Sequence, residues 1–324
     1  MAVLDANEQE IVLVDFRGAT TGAVGRIGSG PREYRFVRRL LDLGGDSLGV
    51  EDQGNQRLLV ITSAGRVGGL LGPTGAPLPK STPLRGPRPT AGDGRGYLYA
   101  LNFSPFAPGA AARSDSAPIE RWKLGSSVRD TIAYLPLHPN DPRQARAFGT
   151  LTQWVVDRAG RLAIVSPDPF VVTFVNSSGR RTHGPTIRFS PIPVSELHRR
   201  QWREDLARPR PVLILVPGGA APRPGLRAAP VDAPISWPSR LPAFLEEAAR
   251  FGPDGVLWVQ RTTPADRPPI FDLIDGRGMV VERVSIPART RLVGFGRGHL
   301  YLARVDPDNV EFLERYKLTP RGKP

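Results

Sequence analysis

One serine in the sequence lies in a pattern that serine hydrolases use. The segment Gly45-Asp46-Ser47-Leu48-Gly49 has the Gly-x-Ser-x-Gly spacing of a nucleophile elbow, and it also contains the letters Gly-Asp-Ser-Leu of a second hydrolase class. A nucleophile elbow needs a helix after the serine, together with a histidine and an acid within reach. Here Leu48-Gly49-Val50 is followed by polar turn residues and another apolar run. We therefore interpret the segment as a β-turn that leads into a strand.

Two further patterns resemble ligand sites only in outline. Four glycines between residues 22 and 30 are closely spaced, but no Gly-Lys-Ser/Thr follows, and Pro31 begins an extended segment rather than a phosphate-binding helix. The chain has no cysteine, which excludes disulfides and thiolate metal sites. The histidines show no short metal-binding spacing, so each is interpreted as a surface or packing residue. They are His138, His183, His198 and His299.

The chain of 324 residues is strongly basic, with a formal charge of +13. Lysine occurs only at positions 80, 123, 317 and 323, so 40 of the 44 basic residues are arginine. The arginines are scattered or form short pairs such as Arg38-Arg39, and aromatic residues do not alternate with them as in proteins that bind single-stranded nucleic acid. The charge pattern argues against nucleic acid as the partner and leaves an anion-binding pocket open.

One pattern recurs along the chain. It consists of a glycine or aspartate turn, an alternating apolar run, a polar loop, a second alternating run and another glycine turn. The copies align on five leucines that are 50, 64, 95 and 43 residues apart, and the shortest spacing is about the length of one four-stranded propeller blade. The aligned residues are Leu48, Leu98, Leu162, Leu257 and Leu300.

This repeat predicts an all-β fold. Alternation with a period of two gives each strand an apolar face, and a small sheet can bury that face only by packing against neighbouring sheets in a ring. Glycine and proline, at 35 residues each, suit short strands and many turns, and no apolar run approaches the roughly 20 residues of a membrane-spanning helix. With a partial copy at the start of the chain counted, residues 1–324 are expected to form a single six-bladed β-propeller domain.

The first blade is expected to be incomplete, because Met1 falls at the start of what should be its second strand. The first residues have neither the basic segment nor the apolar core of a signal peptide. Either the ring closes in a different way, or the natural chain begins upstream. We favour an upstream start, in which case the full-length form is expected to be periplasmic or secreted.

The longest spacing between repeats contains an insertion at about residues 184–245, between the fourth and fifth blades. Residues 194–206 predict a short helix capped by Ser195, residues 212–216 predict an extra strand, and residues 242–250 predict one or two helical turns. We favour the interpretation of the insertion as a mere elaboration of the fold. The alternative is a cap over one face of the propeller, because loops inserted on a rigid scaffold often carry recognition.

The segment Val24-Gly25-Arg26-Ile27-Gly28-Ser29-Gly30-Pro31-Arg32-Glu33-Tyr34, followed by a blade with Asp52 and Asn55-Gln56-Arg57, resembles the bacterial six-bladed β-propeller proteins related to NHL repeats, in the TolB-like superfamily. Those proteins carry Gly-x-Gly-Pro-Gly-Glu-Phe after the outer strand of a blade. This sequence has Arg32 in place of the glycine and Tyr34 in place of the phenylalanine. The resemblance implies a propeller fold and an often exported location, and it implies no reaction.

Residues near the starts of the innermost strands form the candidate ligand site. Innermost strands line the central channel of a propeller, so several guanidinium groups there could converge on one anion, with a tryptophan as an apolar wall. With 40 arginines in the chain, some also fall at such positions by chance. The candidate residues are Arg38, Arg39, Arg88, Trp154, Arg250 and Arg291.

The sequence favours a non-catalytic binding or interaction scaffold whose partner is a protein or a small anionic ligand. The alternative is a metal-dependent hydrolase or lyase similar to the six-bladed gluconolactonases, which bind a metal through acidic and amide side chains of inner strands. No motif supports calcium or any other cofactor, so no metal ligand and no catalytic residue are assigned. The carboxylates that such an enzyme would draw on are Asp42, Glu51, Asp52 and Asp157.

Overall fold

The computed structural model describes residues 1–5, 8–18, 20–72, 88–102, 115–137, 145–207, 210–214, 223–227, 235–308 and 310–319. Among these residues there are 28 strands and one α-helix. The chain divides into two compact units. The first consists of Met1–Pro139, Arg158–Gly160 and Glu204–Asp232, and the second of Asn140–Asp157, Arg161–Arg203 and Ala233–Pro324.

The first unit contains three antiparallel sheets, in which consecutive strands pair in sequence order. A short parallel pair, β4 with β5, connects the first sheet to the second. The strands of the first sheet are β1 Ala2–Asp5, β2 Glu10–Asp15 and β3 Thr20–Ala23, followed by β4 Arg26–Ile27 and β5 Glu33–Tyr34. The second sheet has β6 Val37–Asp42, β7 Ser47–Asp52, β8 Arg57–Thr62 and β9 Val67–Leu71. The third has β10 Ala91–Gly92, β11 Tyr97–Leu101, β12 Ser116–Lys123 and β13 Asp130–Pro136.

The second unit contains three more antiparallel sheets with the same order of pairing. It begins with the short strand β14 Ala145–Arg146. The fourth sheet has β15 Gln153–Val156, β16 Leu162–Pro167, β17 Phe170–Val175 and β18 Arg181–His183. Between it and the fifth sheet lie α1 Glu196–Ala207, β19 Arg210–Ile214, β20 Arg223–Arg227 and β21 Ile235–Ser236, of which β19 pairs with β20 and β21 with β14. The fifth sheet has β22 Phe244–Phe251, β23 Leu257–Arg261, β24 Ile270–Ile274 and β25 Val280–Ser285, and the sixth has β26 Thr290–Gly296, β27 His299–Val305 and β28 Glu311–Lys317.

The six sheets are the blades of a six-bladed β-propeller, as the repeat predicts. Each of the five aligned leucines lies in the second strand of its blade, opposite the innermost strand. The first and sixth blades each have three described strands. Among the described residues, no helix is long and apolar enough to cross a membrane. That residues 1–324 form one domain, and that the protein is exported, stay predictions.

Apolar layers between neighbouring blades form the core. Leu58 and Leu59 are adjacent in β8, yet Leu58 packs with Leu98 of the third blade while Leu59 packs with Ile11 of the first. In β24, the adjacent residues Leu273 and Ile274 likewise belong to two different apolar clusters of the second unit. Successive side chains of a strand point to opposite faces, so a middle blade presents an apolar surface to each of its neighbours.

Hairpin turns repeat one local chemistry, which explains the recurring aspartates and glycines. The Oδ1 atom of Asp93 accepts hydrogen bonds from the amides of Arg95 and Tyr97, both at 2.9 Å. Gly96 closes the turn with a φ of +77°, a conformation that glycine adopts without steric cost. Asp275 makes the equivalent pair of bonds to the amides of residues 277 and 279. An Asp-x-x-Gly sequence therefore sets both the turn and the strand register.

The residues that carry the NHL-like resemblance hold one loop in place. Asp52 is fully buried and accepts hydrogen bonds from the amide of Arg35 and from the Nε of Arg57, each at 3.1 Å. Arg57 donates to the carbonyl oxygens of Gly30 at 2.7 Å and Glu33 at 2.6 Å. In the described structure this motif therefore acts as a clasp between β8 and the segment before β6.

The structure corrects one prediction in the inserted region. Helix α1 and strand β19 lie where the sequence predicts a helix and a strand, and the Oγ of Ser195 accepts from the amide of His198 at 3.3 Å as a cap. The helical turns predicted at residues 242–250 are wrong, because this segment forms β22. Phe244 is fully buried against the fourth blade, so packing overrides the helix propensity of the Glu-Glu-Ala-Ala sequence. A bulge containing Glu247, with a φ of +58°, absorbs the extra residues.

We expect Asp52→Ala to lower the free energy of unfolding by about 3–5 kcal/mol, because it leaves the guanidinium of Arg57 buried without its carboxylate. As a matched control, Asp275→Ala removes a turn carboxylate whose partner Arg277 is 82% exposed, and it should cost about 1 kcal/mol. Urea denaturation followed by tryptophan fluorescence measures both values. Equal losses for the two variants would contradict the clasp.

We expect Gly92→Ala to destabilise the protein by about 1–3 kcal/mol, because a Cβ at this position would lie 2.0 Å from the carbonyl oxygen of Asp42 in the neighbouring inner strand. Gly69→Ala is the control, since a Cβ there meets nothing within 4 Å. Thermal unfolding of the two variants measures the difference. A melting temperature for Gly92→Ala that equals that of Gly69→Ala would contradict the close approach of the two inner strands.

Candidate functional site

Within the described residues, five carboxylates are buried, and each forms an ion pair with arginine. Four of them lie at a strand end or within one residue of it. Asp272 is different, because it lies in the middle of β24 between apolar neighbours. The five buried carboxylates are Glu51, Asp52, Asp93, Asp157 and Asp272.

Asp272 binds two arginines from the strands on either side of it. The Nε of Arg283, which is opposite Asp272 on β25, donates to its Oδ1 at 2.8 Å. The Nε of Arg261, which is diagonal to it on β23, lies 3.2 Å from its Oδ2. One fully buried carboxylate therefore holds two guanidinium groups that are 16% and 54% exposed, Arg261 and Arg283 respectively.

The two arginines are not held equally. Arg283 donates a hydrogen bond of 2.8 Å, whereas the ion pair between Arg261 Nε and Asp272 Oδ2 is longer, at 3.2 Å. Burial lowers the pKa of Arg261, Asp272 opposes that change, and the nearby charge of Arg283 adds to it. Ionisable groups perturbed by burial and by a specific charged partner cluster at functional sites.

Arg261 and Arg283 line a cleft of about 1130 Å³ in the second unit. Its other walls are the turn between β16 and β17 at residues 167–170, residues 186–192 after β18, and residues 241–243 before β22, together with Thr150 and Thr262. We call this cavity the arginine cleft. It lies where the ends of the inserted region meet the fourth and fifth blades.

The walls of the arginine cleft are tied together by hydrogen bonds. The amide of Thr262 donates to the carbonyl of Ala243 at 3.0 Å, and the amide of Leu241 donates to that of Ile192 at 2.8 Å. Ile187 N donates to the carbonyl of Phe170, also at 2.8 Å. These bonds connect the two ends of the inserted region to the blades, which makes the walls a fixed part of the fold.

The charge of the arginine cleft is positive. Arg188, Arg261 and Arg283 line it, against the carboxylates of Asp168 in the wall and Asp272 beneath it, which leaves one positive charge in excess. The guanidinium of Arg261 also lies 5.8 Å from the ring centroid of Phe189. A guanidinium held against an aromatic ring and a carboxylate keeps its remaining N–H groups in a fixed direction.

Three predicted site residues lie in the first unit. Arg38 is exposed. Arg39 forms an ion pair with Glu51 at 2.9 Å and donates to the carbonyl of Thr90, two residues after Arg88. Arg88 donates to the Oε1 of Gln56 at 2.6 Å. Arg39 and Arg88 therefore both have partners within the protein.

The other three predicted site residues lie on inner strands of the second unit. Arg250 donates to the carbonyl of Val293 at 3.5 Å, and Arg291 forms an ion pair with Glu311 at 2.9 Å. Burial lowers the pKa of Arg250; Glu247 opposes this, and the nearby charge of Arg291 adds to it. Trp154 is half-buried on β15. The structure therefore brings Arg250 and Arg291 together, and a ligand at all six predicted residues stays a prediction.

Arg250 and Arg291 lie at different positions along the inner strands of their blades. Arg250 is opposite Trp258, one residue beyond the aligned leucine of its second strand, whereas Arg291 is opposite Ala303, three residues beyond Leu300. Arg250 therefore lies near the end of β22 rather than near its start. The reason is the early beginning of β22, in the segment that the sequence predicts as helical.

The carboxylates considered for a metal enzyme are bound to arginine. Asp42 pairs with Arg158 at 2.9 Å, and Asp157 pairs with Arg161 at 3.0 Å. Glu51 and Asp52 form ion pairs with Arg39 and Arg57, respectively. Within the described part of the chain, no group of three histidine or acidic side chains could hold a metal ion. The described geometry therefore offers no support for the metal-dependent alternative.

The remaining sequence patterns have structural roles. Gly44 and Gly45 have φ values of +85° and +56°, and Ser47 begins β7, so the interpretation of this segment as a turn before a strand is confirmed. His198 is buried, with its Nδ1 2.8 Å from the Oγ of Ser195 and its Nε2 3.2 Å from the carbonyl oxygen of Thr263. His183 is exposed on β18, His299 lies on β27, and His138 lies outside the described residues.

Sequence analysis did not single out the residues of the arginine cleft. A signal was present in Ile270-Phe271-Asp272-Leu273-Ile274, because an acidic residue inside an apolar strand needs a buried partner. Which of 40 arginines supply that partner depends on strand register, and sequence spacing alone does not give the register.

No model of a known protein family matches this sequence, and no curated protein matches it. Among solved structures, the chain is similar to a streptogramin B lyase, with 14% identity, 98% of this chain and 78% of that chain covered, and a TM-score of 0.40. It is similar to a virginiamycin B lyase from Staphylococcus aureus, with 14% identity, coverage of 98% and 80%, and a TM-score of 0.36. It is also similar to a member of the DUF4221 family from Bacteroides vulgatus ATCC 8482, with 9% identity, coverage of 95% and 86%, and a TM-score of 0.48.

Likenesses of this degree say nothing about a reaction or a ligand of this chain. The fold rests on the chain's own strand order, in which six consecutive antiparallel sheets each place their strands in sequence. On that ground, the protein is a six-bladed β-propeller.

Proposed function

We propose that this propeller is a non-catalytic binding scaffold that takes a small anionic ligand in the arginine cleft. The observation that carries the proposal is the buried carboxylate of Asp272, which holds two guanidinium groups, those of Arg261 and Arg283, at the cleft. A structural ion pair needs one arginine for each carboxylate, as the buried acids of the first unit have. The second guanidinium at Asp272 is available for a ligand.

The geometry suits an anion. Both arginines use Nε towards Asp272, so their terminal Nη groups are available at the cleft, apart from the 3.4 Å bond of Arg261 Nη2 to the carbonyl of Arg188. A guanidinium offers two parallel donors to a carboxylate or a phosphate. Because Asp272 fixes both arginines before a ligand arrives, little side-chain entropy is lost on binding.

Binding without chemistry is favoured by the donor set of the arginine cleft. Its described lining contains arginines, threonines and a serine, and no histidine that could act as a base. Asp168 is the single acidic residue in that lining. Guanidinium groups orient and neutralise an anion, which is the task of a binding site.

The proposal predicts that inorganic phosphate stabilises the protein and that Arg283→Gln weakens this effect by about tenfold or more, since a charge-assisted hydrogen bond is lost. Arg283 is the variant of choice because it is 54% exposed, and Arg261 remains to neutralise Asp272. The measurement is the melting temperature as a function of phosphate concentration, with chloride keeping the ionic strength constant.

Arg277→Gln is the matched control, because Arg277 is an arginine of the same blade that is 82% exposed and lies outside the cleft. It should respond to phosphate as the unmodified protein does. An equal response from the Arg283→Gln protein would contradict the proposed site. Calcium or zinc found in stoichiometric amounts in the purified protein, with stabilisation by that cation, would instead support the metal-dependent alternative.

A further inference from the structure

We propose that the ligand of the arginine cleft is a small amphipathic anion, with one carboxylate or phosphate head on an apolar body. The inference rests on the proposed function, because it takes the cleft to be the binding site, and it adds the chemical class of the ligand. Three properties of the cleft carry it: its volume, its apolar walls and its excess of a single positive charge.

The volume of the cleft is much larger than an inorganic anion requires. At about 1130 Å³ it slightly exceeds the range for sites that bind drug-sized molecules, which is roughly 300–1,000 Å³. A water molecule occupies about 30 Å³ in the liquid, and a tetrahedral oxyanion is only a few times larger. An oxyanion beside Arg283 would leave most of the cleft to other atoms, so the ligand has a body as well as a head.

The lining of the cleft is mainly apolar. Of the 18 lining residues, ten are proline, phenylalanine, isoleucine, leucine or alanine. Phe189 and Ile192 are half-buried and present apolar surface to the cleft. An apolar body that covers these side chains removes their surface from water, which favours binding.

Part of the cleft backbone offers no donor to the body of a ligand. Residues 167, 169, 191 and 242 of the lining are proline and have no amide hydrogen. The amides of Ile187, Leu241 and Thr262 are already bonded to carbonyl oxygens of the cleft walls. A sugar or a nucleoside would bring many hydroxyl and amide groups that need partners, whereas a hydrocarbon needs none.

The charge balance fits one anionic group. The cleft has one positive charge in excess, since Asp168 and Asp272 offset two of its three arginines. A single carboxylate neutralises this excess, and so does a phosphate monoester in its singly charged form. Further anionic groups would lie against apolar walls without a partner, which costs free energy.

Isothermal titration calorimetry of the full chain with paired probes tests the inference. Acetate is compared with octanoate, and inorganic phosphate is compared with octyl phosphate. Octyl glucoside is the neutral probe. The three eight-carbon compounds are used below their micelle concentrations. Because each buried CH₂ strengthens binding by about fourfold, octanoate and octyl phosphate should bind at least about a hundredfold more tightly than the short anions. Octyl glucoside should not bind measurably.

Substitutions in the cleft test whether the apolar body of the ligand binds there. Ile192→Ser should weaken octanoate binding about tenfold and weaken inorganic phosphate binding much less, because the substitution removes apolar surface from the cleft and leaves its charges in place. Val281→Ser is the control, since Val281 is 50% exposed on β25 and is not part of the cleft. Arg283→Gln should weaken all four anions. The comparison of long and short anions on the unmodified protein decides the inference even if a variant fails to fold.

The outcomes separate this inference from the proposed function. Octanoate that binds no more tightly than acetate, while phosphate binding still depends on Arg283, would overturn the amphipathic ligand and leave the anion site standing. Octyl glucoside that binds as tightly as octanoate would also overturn the amphipathic anion, because the anionic head would then contribute nothing. The proposed function is overturned if phosphate binding is equal in the Arg283→Gln and unmodified proteins. Loss of octanoate binding in both Arg283→Gln and Ile192→Ser, with Val281→Ser unchanged, would support the proposal.

Discussion

A buried carboxylate is stable in this protein only beside a guanidinium, and this requirement shapes most of the polar structure. Moving an unpaired charge out of water is very costly, so each buried acid in the described residues has an arginine within ion-pair distance. The ion pairs of Asp93 and Asp157 with arginine lie at turns next to inner strands, which they close. The ion pair of Asp52 with Arg57 fixes a loop. Much of the arginine content therefore serves the fold, and the basic character of the chain is not in itself a sign of a polyanionic partner.

The same requirement distinguishes the candidate site from its surroundings. Asp272 lies within a strand, binds two arginines instead of one and fulfils no backbone role at a turn. The other four buried carboxylates each pair with a single arginine. The second guanidinium at Asp272 carries a positive charge that a bound anion would offset. This contrast within one molecule, rather than likeness to other proteins, supports the choice of the arginine cleft over the other basic positions.

The fold could be predicted from the sequence because its determinants are local. The alternation of apolar and polar residues over four to eight positions can be seen directly in the sequence, and so can Asp-x-x-Gly turns such as 275–278. Together these two patterns are enough to place the blades. The segment of β22 could not be predicted, because the helix propensity of Glu-Glu-Ala-Ala conflicts with the burial of Phe244, and only the neighbouring blade decides between them. The site could not be predicted for a similar reason. Arg261, Asp272 and Arg283 lie up to 22 positions apart, and strand register alone brings them together.

Adjacent residues of one strand belong to different cores, as Leu58 and Leu59 show, and this has a consequence for how such a chain can change in length. Inserting or deleting a single residue within β8 would exchange the two side chains, so that both neighbouring layers would lose their fit at once. Length variation is therefore tolerated mainly between strands, and within a strand only where a bulge absorbs the extra residues, as in β22. This accounts for unequal intervals between blades that share one strand pattern, and it means that new surface is acquired in the connections, where the inserted region of this protein lies.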